Sequence, residues 1–320
     1  MLTRHEQKPI VVVGSINADL VAHVEKIPRS GETVLGSDFT IHPGGKGANQ
    51  AVAVARLGYP VLMIGKLGID AFSDQLRASL RGAGVDIRAV DRVEGACGVA
   101  LIEVGPRGEN SIVVVPGANA KGLPEDIDSN IEILRSAGVV LVQLEIPMQT
   151  VAHLTSVCAR EHVPVMMDPA PAHELPPEVL RTIRWFTPNE TEAAFYTGSG
   201  AETQYDSHKQ RDALFALGIP GVVLKQGARG VYLADLDGTE AAIPAFPVET
   251  VDTTAAGDAF NGAFATGLML GKSPTESALF AAAAAAISVT RPGAQPSMAS
   301  REETEALLER FGSVRASGGG

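Results

Sequence analysis

Short apolar runs recur along the chain, separated by segments whose apolar residues return at helical spacing. "PIVVVGS" from Pro9 and "VLMIG" from Val61 are apolar at consecutive positions, the pattern of strands buried on both faces. Between them Ala48, Ala51, Val52 and Ala55 mark one helical stripe, and Gly58 supplies a C-terminal cap. Later strand-like runs are "GVVLVQL" ending near Leu144, "VPVMMD" ending at Asp168, "WFT" ending at Thr187 and "GVVLKQG" ending near Gly227. Helical patterns separate them, notably Met148 to Arg160 and His208 to Leu217. This alternation predicts an α/β fold with a mostly parallel sheet and helices on both faces.

Two stretches break the rhythm. Residues 17–43 alternate weakly among turn formers and show no helical stripe, and "GVALIEVGPRGENSIVVV", residues 98–115, reads as a hairpin through a Gly/Pro/Asn turn. Together they predict a small β-sheet lid, inserted in two pieces into a single unit spanning residues 1–320. The terminal "SGGG" predicts a flexible end.

Composition narrows the classes of function. Hydrophobic residues make up 45% and charged residues 20%, which suits a globular chain with a sizeable core. The formal net charge is −11, with no basic stripe, so neither nucleic acid nor an anionic membrane is an expected partner. "ALFAAAAAAISV" is too short and too alanine-rich to span a bilayer, and "MLTRHEQKPI" lacks the apolar core of a signal peptide. Cys97 and Cys158 stand far apart, which fits a reducing compartment, the cytoplasm, and no histidine spacing suggests zinc. A protein acting on small molecules is the expectation.

Unusual polar residues fall where such a sheet places its ligands, at the carboxyl ends of strands. Asn17 and Asp19 follow the first strand, Glu145 follows "VLVQL", Asn189 follows "WFTP" and Lys225 closes "GVVL". Asn17 and Asp19 are compatible with a simple Asx-turn; on extended backbone their i, i+2 spacing instead aims both at one face, suited to vicinal hydroxyls. Asp168 sits in "DPAPAHE", whose prolines predict a turn, and is not counted among the site residues. In "HPGGKGANQA", a Gly-Gly turn before a helix explains the glycines; alternatively Gly44 and Gly45 admit a ligand close to the backbone, with Lys46 and Asn49 as donors. "GLMLGKS" imitates a phosphate-binding loop but is one residue short and follows an apolar helix, so Gly271 reads as a cap and Ser273 as the next helix's N-cap.

"DTTAAGDAFNGAFATG" carries the most chemistry. Ala255, Ala256 and Gly257 are small enough to expose successive N–H groups at a helix start, an anion hole for a phosphoryl group in transit. Asp258 in the first turn is placed to take the proton of an attacking hydroxyl, and the helix N-terminus favours its ionised form.

With "VVVGSINADL", "PGGKGANQA", "QLEIP", "TPNETEA" and "VTRPGAQPS", that segment makes the chain resemble the ribokinase (PfkB) family of carbohydrate kinases over nearly its whole length. The resemblance implies a nine-stranded or similar α/β unit with a lid that often clasps a second copy into a homodimer. It implies transfer of the γ-phosphoryl of ATP to the 5-hydroxyl of D-ribose, with Mg2+ as cofactor and K+ as activator. Asn17, Asp19, Gly44, Gly45, Lys46, Asn49 and Glu145 would line the sugar pocket, with Asp258 as base beside the anion hole. Asn189 and Glu192 would order Mg2+ and phosphate through water, and Lys225, Gly227, Gly230 and Gly257 would border the nucleotide. Asp252, Thr254, Ser288, Arg291, Gly293 and Ser297 would form the monovalent-cation site, largely through backbone oxygens. Ala282 departs from the family, which commonly places a polar Asn or His near adenine.

Other acceptors fit the same chemistry, namely deoxyribose, a ketohexose or a nucleoside, although only 5% of the chain is aromatic and a nucleoside base needs an apolar or aromatic wall. A sugar-binding regulatory protein could dispense with Asp258 and the anion hole, and both are intact. A nicotinamide-dependent oxidoreductase needs a G-x-G-x-x-G turn after the first strand, which "VVVGSINADL" lacks.

Overall fold

The computed structural model of the protein describes residues 7–106, 109–199 and 205–317, with side chains up to Phe311. Most of "MLTRHEQKPI", the glycines of the terminal "SGGG" and part of the hairpin turn lie outside the described residues. In chain order the strands are β1 (Ile10–Val13), β2 (Asn17–Val24), β3 (Gly36–Gly44), β4 (Val61–Leu67), β5 (Asp86–Arg92), β6 (Gly98–Val104) and β7 (Asn110–Val115). There follow β8 (Val139–Val142), β9 (Val165–Met167), β10 (Ile183–Phe186), β11 (Gly221–Lys225), β12 (Val231–Asp235) and β13 (Glu240–Ile243).

Nine strands form the main sheet, in the order β13-β12-β11-β10-β9-β8-β1-β4-β5. It is parallel from β11 to β5, and β12 and β13 add an antiparallel edge. Along β1 the side chains alternate between two cores: Ile10 and Val12 enter one, Val11 and Val13 the other. On the first face the small residues of helices Lys46–Arg56, Ala256–Met269 and Pro274–Ser288 pack closely, with Phe260, Phe264 and Phe280 among them. On the other face Val151, Leu154, Val157 and Cys158 of helix Met148–Arg160 and Leu214 of helix Ser207–Ala216 belong to a second core. The sheet is therefore covered on both sides, which is why its strands read as unbroken apolar runs.

Small differences from the expected boundaries have local causes. The helix expected from His208 begins at Ser207, because the Asp206 carboxylate accepts the N–H groups of His208 and Lys209 at 3.0 and 3.2 Å. β8 stops at Val142 rather than near Leu144, and Gln143 instead turns its amide toward Gln50. Gly271 adopts a left-handed φ of 78° after one helix, and Ser273 caps the next in a reciprocal box with Glu276.

The two helix-poor stretches form a second, four-stranded sheet, β3-β2-β6-β7. It is mixed: β2 pairs parallel with β6 and both outer pairs are antiparallel. Its polarity is the reverse of an ordinary surface sheet. Asn17, Asp19, His42 and Ala100 share the face turned toward the site, whereas Leu20, Ile41, Leu101 and Val113 form a row on the other. Ile41, Leu101 and Val113 are exposed. Among the described residues no helix is long and apolar enough to cross a membrane, and both cysteines are free and buried.

Candidate active site

The site begins where β2 leaves the main sheet. Asn17 and Asp19 lie in strand rather than in a turn, so the two-residue period does aim both inward. The Asn17 Oδ1 accepts the amide N–H of Asn119 at 2.7 Å, and Asn119 in turn accepts the Ile16 N–H at 2.9 Å. Asn119, on a short 3-10 turn after β7, carried no sequence signal. Gly44 and Gly45 are required by contact: a Cβ on Gly44 would stand 2.0 Å from the Asp19 carboxylate, and one on Gly45 would stand 2.7 Å from the Asn17 nitrogen. Gly45 also holds a φ of 89°.

Helix Lys46–Arg56 then starts directly against this sheet. Burial pulls the Lys46 ammonium down, but the carboxylates of Asp258, Asp168 and Glu145 outweigh it and leave it above the usual lysine range. Glu145 accepts from the Ser15 hydroxyl at 2.5 Å and from the Lys46 N–H at 3.4 Å. Burial pushes Asp19 up to about 7, with Glu145 and Asp258 adding to the shift and Lys46 opposing it.

Asp258 sits in the first turn of helix Ala256–Met269, fully inside the protein. Its Oδ2 accepts from Asn49 Nδ2 at 3.0 Å and its Oδ1 from Gln50 Nε2 at 3.1 Å. Burial raises it to about 6, Lys46 opposing and Asp168 adding. Before the helix, Ala255 turns into the left-handed region at φ 57°. One expected donor is already used, since the Ala256 N–H donates to the Thr253 carbonyl at 3.2 Å. The N–H groups of Ala255, Gly257 and Asp258 have no backbone partner among the described residues, so they stay available around the helix start while that of Ala256 does not.

Next to it opens a cavity of about 820 Å3. Lys46, Asp258, Gly257, Lys225, Asn189 and Glu192 supply its charged and polar wall. Phe246, Val248, Ala282, Ala286 and Val289 supply an apolar one, to which Ala282 adds a methyl group. Gly227 and Gly230 border it after β11. Asn17, Asp19, Asn49 and Glu145 lie outside this lining; Lys46 and Asp258 join the two groups. Asn189 and Glu192 form a capping box: Glu192 Oε2 accepts the Asn189 N–H at 2.7 Å, and Asn189 Oδ1 accepts the Glu192 N–H at 2.8 Å. Burial raises the Glu192 carboxyl while Lys225 opposes.

Asp168, read from its prolines as a turn former, is buried in the centre of the site. It accepts from Lys225 Nζ at 2.8 Å and from Gln50 Nε2 at 3.0 Å. Its signal was visible, a carboxylate at a strand end, but the neighbouring turn residues masked it.

Asp252, Thr254 and Gly293 also come together: the Asp252 carboxylate accepts the Thr254 N–H at 2.9 Å and the Gly293 N–H at 2.8 Å. Although burial works the other way, the Thr254 hydroxyl, followed by these N–H groups, holds Asp252 below the usual carboxylate range. The Ser288 and Ser297 hydroxyls donate to backbone carbonyls of Ala285 and Ala294. The Arg291 guanidinium is drawn away to Glu303. Among the described residues no group of three or more His, Cys, Asp or Glu side chains is placed to hold a metal ion.

A buried carboxylate at a helix N-terminus, set between a polar pocket and a long cavity, is the arrangement of a phosphoryl-transfer class of enzyme. The chain matches the pfkB family carbohydrate kinases over residues 7–301 and belongs to that family. It is 39% identical over 304 residues to a ribokinase of Haemophilus influenzae, covering 95% of this chain and 99% of that one. It is 36% identical over 301 residues to a deoxyribokinase of Salmonella typhi, covering 93% and 98%. A solved Arabidopsis thaliana ribokinase, complexed with ribose and ATP, superposes with a TM-score of 0.87 at 38% identity, covering 94% of this chain and 99% of that chain.

Proposed function

We propose that the protein transfers the γ-phosphoryl group of ATP to the 5-hydroxyl of D-ribose. The observation that carries this reading is the placement of Asp258, buried, oriented by two amide donors, and shared between the polar pocket and the cavity. Asn17, Asp19, Asn49, Lys46 and Glu145 bind the sugar hydroxyls, while Gly44 and Gly45 bring backbone close to the ring. Asp258 takes the proton of the 5-hydroxyl as its oxygen attacks phosphorus. The Gly257 and Asp258 N–H groups, with Lys225 Nζ, face the charge that gathers on the phosphoryl oxygens. Adenine lies against the apolar wall that includes Ala282, and Gly227 and Gly230 let backbone approach the nucleotide.

The residues proposed for the cations fit them. Both Glu192 oxygens are already held by Asn189, through its N–H and through its Nδ2 at 2.9 Å, so contact with Mg2+ through water suits this pair. When bound, Mg2+ neutralises phosphate charge. Of the six residues proposed for K+, only Asp252 offers a carboxylate; hydroxyl and carbonyl oxygens complete a weakly charged donor set that suits a monovalent ion. The reading extends to closure of the small sheet as a lid that excludes water. It also extends to a homodimer through its exposed apolar face, and to action in the cytoplasm, where Cys97 and Cys158 remain thiols.

The test is ADP release from MgATP with D-ribose, 2-deoxyribose, fructose and adenosine in parallel, with K+ or Na+. Ribose-dependent turnover stimulated by K+ is expected. A preference for 2-deoxyribose, the substrate in the name of the Salmonella relative, moves the acceptor and keeps the mechanism. Ribose binding without turnover sinks the catalytic reading in favour of a regulatory one.

A further inference from the structure

Gln50 stands at the centre of the site and belongs to neither half. It is buried on helix Lys46–Arg56, and its Oε1 accepts from Gln143 Nε2 at 2.7 Å. Its Nε2 donates to Asp258 Oδ1 at 3.1 Å and to Asp168 Oδ2 at 3.0 Å. The amide orientation follows from its chemistry, because a flipped Gln50 would aim a carbonyl oxygen at two carboxylates. The second Asp168 oxygen accepts from Lys225 Nζ at 2.8 Å. That ammonium reaches the helix start, since a Cβ built on Gly257 would lie 3.3 Å from Nζ. One amide thus joins the base to the residue that anchors the phosphate-side cation.

We propose that Gln50 is a positioning residue for phosphoryl transfer: its amide spans Asp258 and Asp168, keeps them from sharing a proton, and holds the base in register with Lys225. This inference rests on the catalytic reading above. Without the amide, two buried carboxylates would face each other, and such pairs resolve their repulsion by holding a proton between them. A protonated Asp258 cannot accept from the attacking hydroxyl. The other charged groups acting on Asp258 are Lys46 on the same helix as Gln50, Asp19 on β2 and Asp168 after β9. Lys225 and Glu192 stand behind Asp168. Gln50 is the neutral group placed between the carboxylates, so its loss leaves their repulsion unbridged.

The full chain is tested as wild type, Gln50→Leu and Gln50→Glu. Infrared titration of the protonated-carboxyl absorption, assigned with Asp258→Asn, reads the Asp258 proton without turnover. In Gln50→Leu, Asp258 is expected to keep its proton to higher pH. The acid limb of kcat with ribose and MgATP moves the same way by about one unit, a roughly tenfold loss on that limb, with little change in ribose KM. A merely structural loss lowers kcat equally at every pH. Gln50→Glu retains the acceptor for Gln143, but once ionised it sets a third carboxylate beside Asp258, so the acid limb of its kcat is expected to move to higher pH, as in Gln50→Leu. This variant carries the test if Gln50→Leu does not fold. Wild-type turnover with an unmoved Asp258 titration in Gln50→Leu, or an acid limb in Gln50→Glu that coincides with the wild type's, overturns the role of Gln50. A wild type without turnover overturns the catalytic reading beneath it, whatever the infrared shows.

Discussion

To act as the proposed base, Asp258 must be buried and ionised at once, and its neighbours show how. Burial lifts it to about 6, while Lys46 and the amides of Asn49 and Gln50 limit the rise. As the proposed base, Asp258 is therefore charged through most of the neutral range, and kcat is expected to rise with pH through about 6 and level above it. Asp258→Asn preserves shape and removes the acceptor; a loss of about 10²- to 10⁴-fold in kcat with ribose binding retained is expected from steady-state kinetics and calorimetry. Asp19 gives a stability prediction with a definite sign. Its ordinary value of 3.8 is raised to about 7, so the folded form binds a proton that the unfolded chain releases. That contribution is fully present below 3.8 and is lost as pH rises through about 7. Asp19→Asn is thus expected to gain on the wild type from pH 5 to pH 8, by on the order of 2–4 kcal/mol in urea unfolding. It weakens ribose binding at the same time. A pH-independent difference would sink the argument that the carboxylate is strained by burial.

Between neighbouring elements, glycine does what no other residue can. β3 runs onto β2 at Gly44, and a methyl group there would overlap the Asp19 carboxylate at 2.0 Å. Gly44→Ala is expected to displace Asp19 and raise the ribose KM more than it lowers kcat, measured by initial rates over a range of ribose concentrations. Gly44, Gly45 and the strand-end residues Asn17, Asp19, Glu145, Asn189 and Lys225 were legible because a parallel sheet puts its loops at one edge and the sequence shows where each strand stops. Asp168 has the same placement, yet its flanking prolines favour a turn, and local signals cannot separate a turn that holds a carboxylate outward from one that drops it inward. Gln50 was illegible for another reason. On an amphipathic stripe it reads as a surface position, and only the convergence of β8, β9 and helix Ala256–Met269 makes it interior. The left-handed turn at Ala255, which leaves the Ala256 N–H with Thr253, has no trace in an alanine. Backbone geometry of that kind withdraws the Ala256 donor without changing a single side chain.

For the whole molecule, the orientation of the small sheet decides what can cover it. A sheet lying over a polar site must turn Asn17, Asp19 and His42 inward, and strand alternation then forces Leu20, Ile41, Leu101 and Val113 outward. The pattern was readable as weak alternation in residues 17–43 and as a hairpin in residues 98–115, but its direction was not, because nothing local says which face meets the site. Leu101 and Val113 are 46% and 57% exposed, and Phe39 on the neighbouring row is 59% exposed. A second copy presenting the same face would bury them by a two-fold contact, in which each subunit offers one patch to its partner's. Removing about 100 Å2 of apolar surface per residue is worth ~2–3 kcal/mol for each, so a few such residues suffice to set the assembly state. Leu101→Glu places a charge in the middle of that row and leaves the opposite, site-facing side untouched. Sedimentation velocity is expected to show a dimer for the wild type and a monomer for Leu101→Glu. The monomer should keep its fold by circular dichroism but bind ribose more weakly, because a lid held by its partner closes over the sugar at a smaller loss of conformational freedom. A wild type that sediments as a monomer at micromolar concentration would remove the second copy from the reading and leave the lid to close alone.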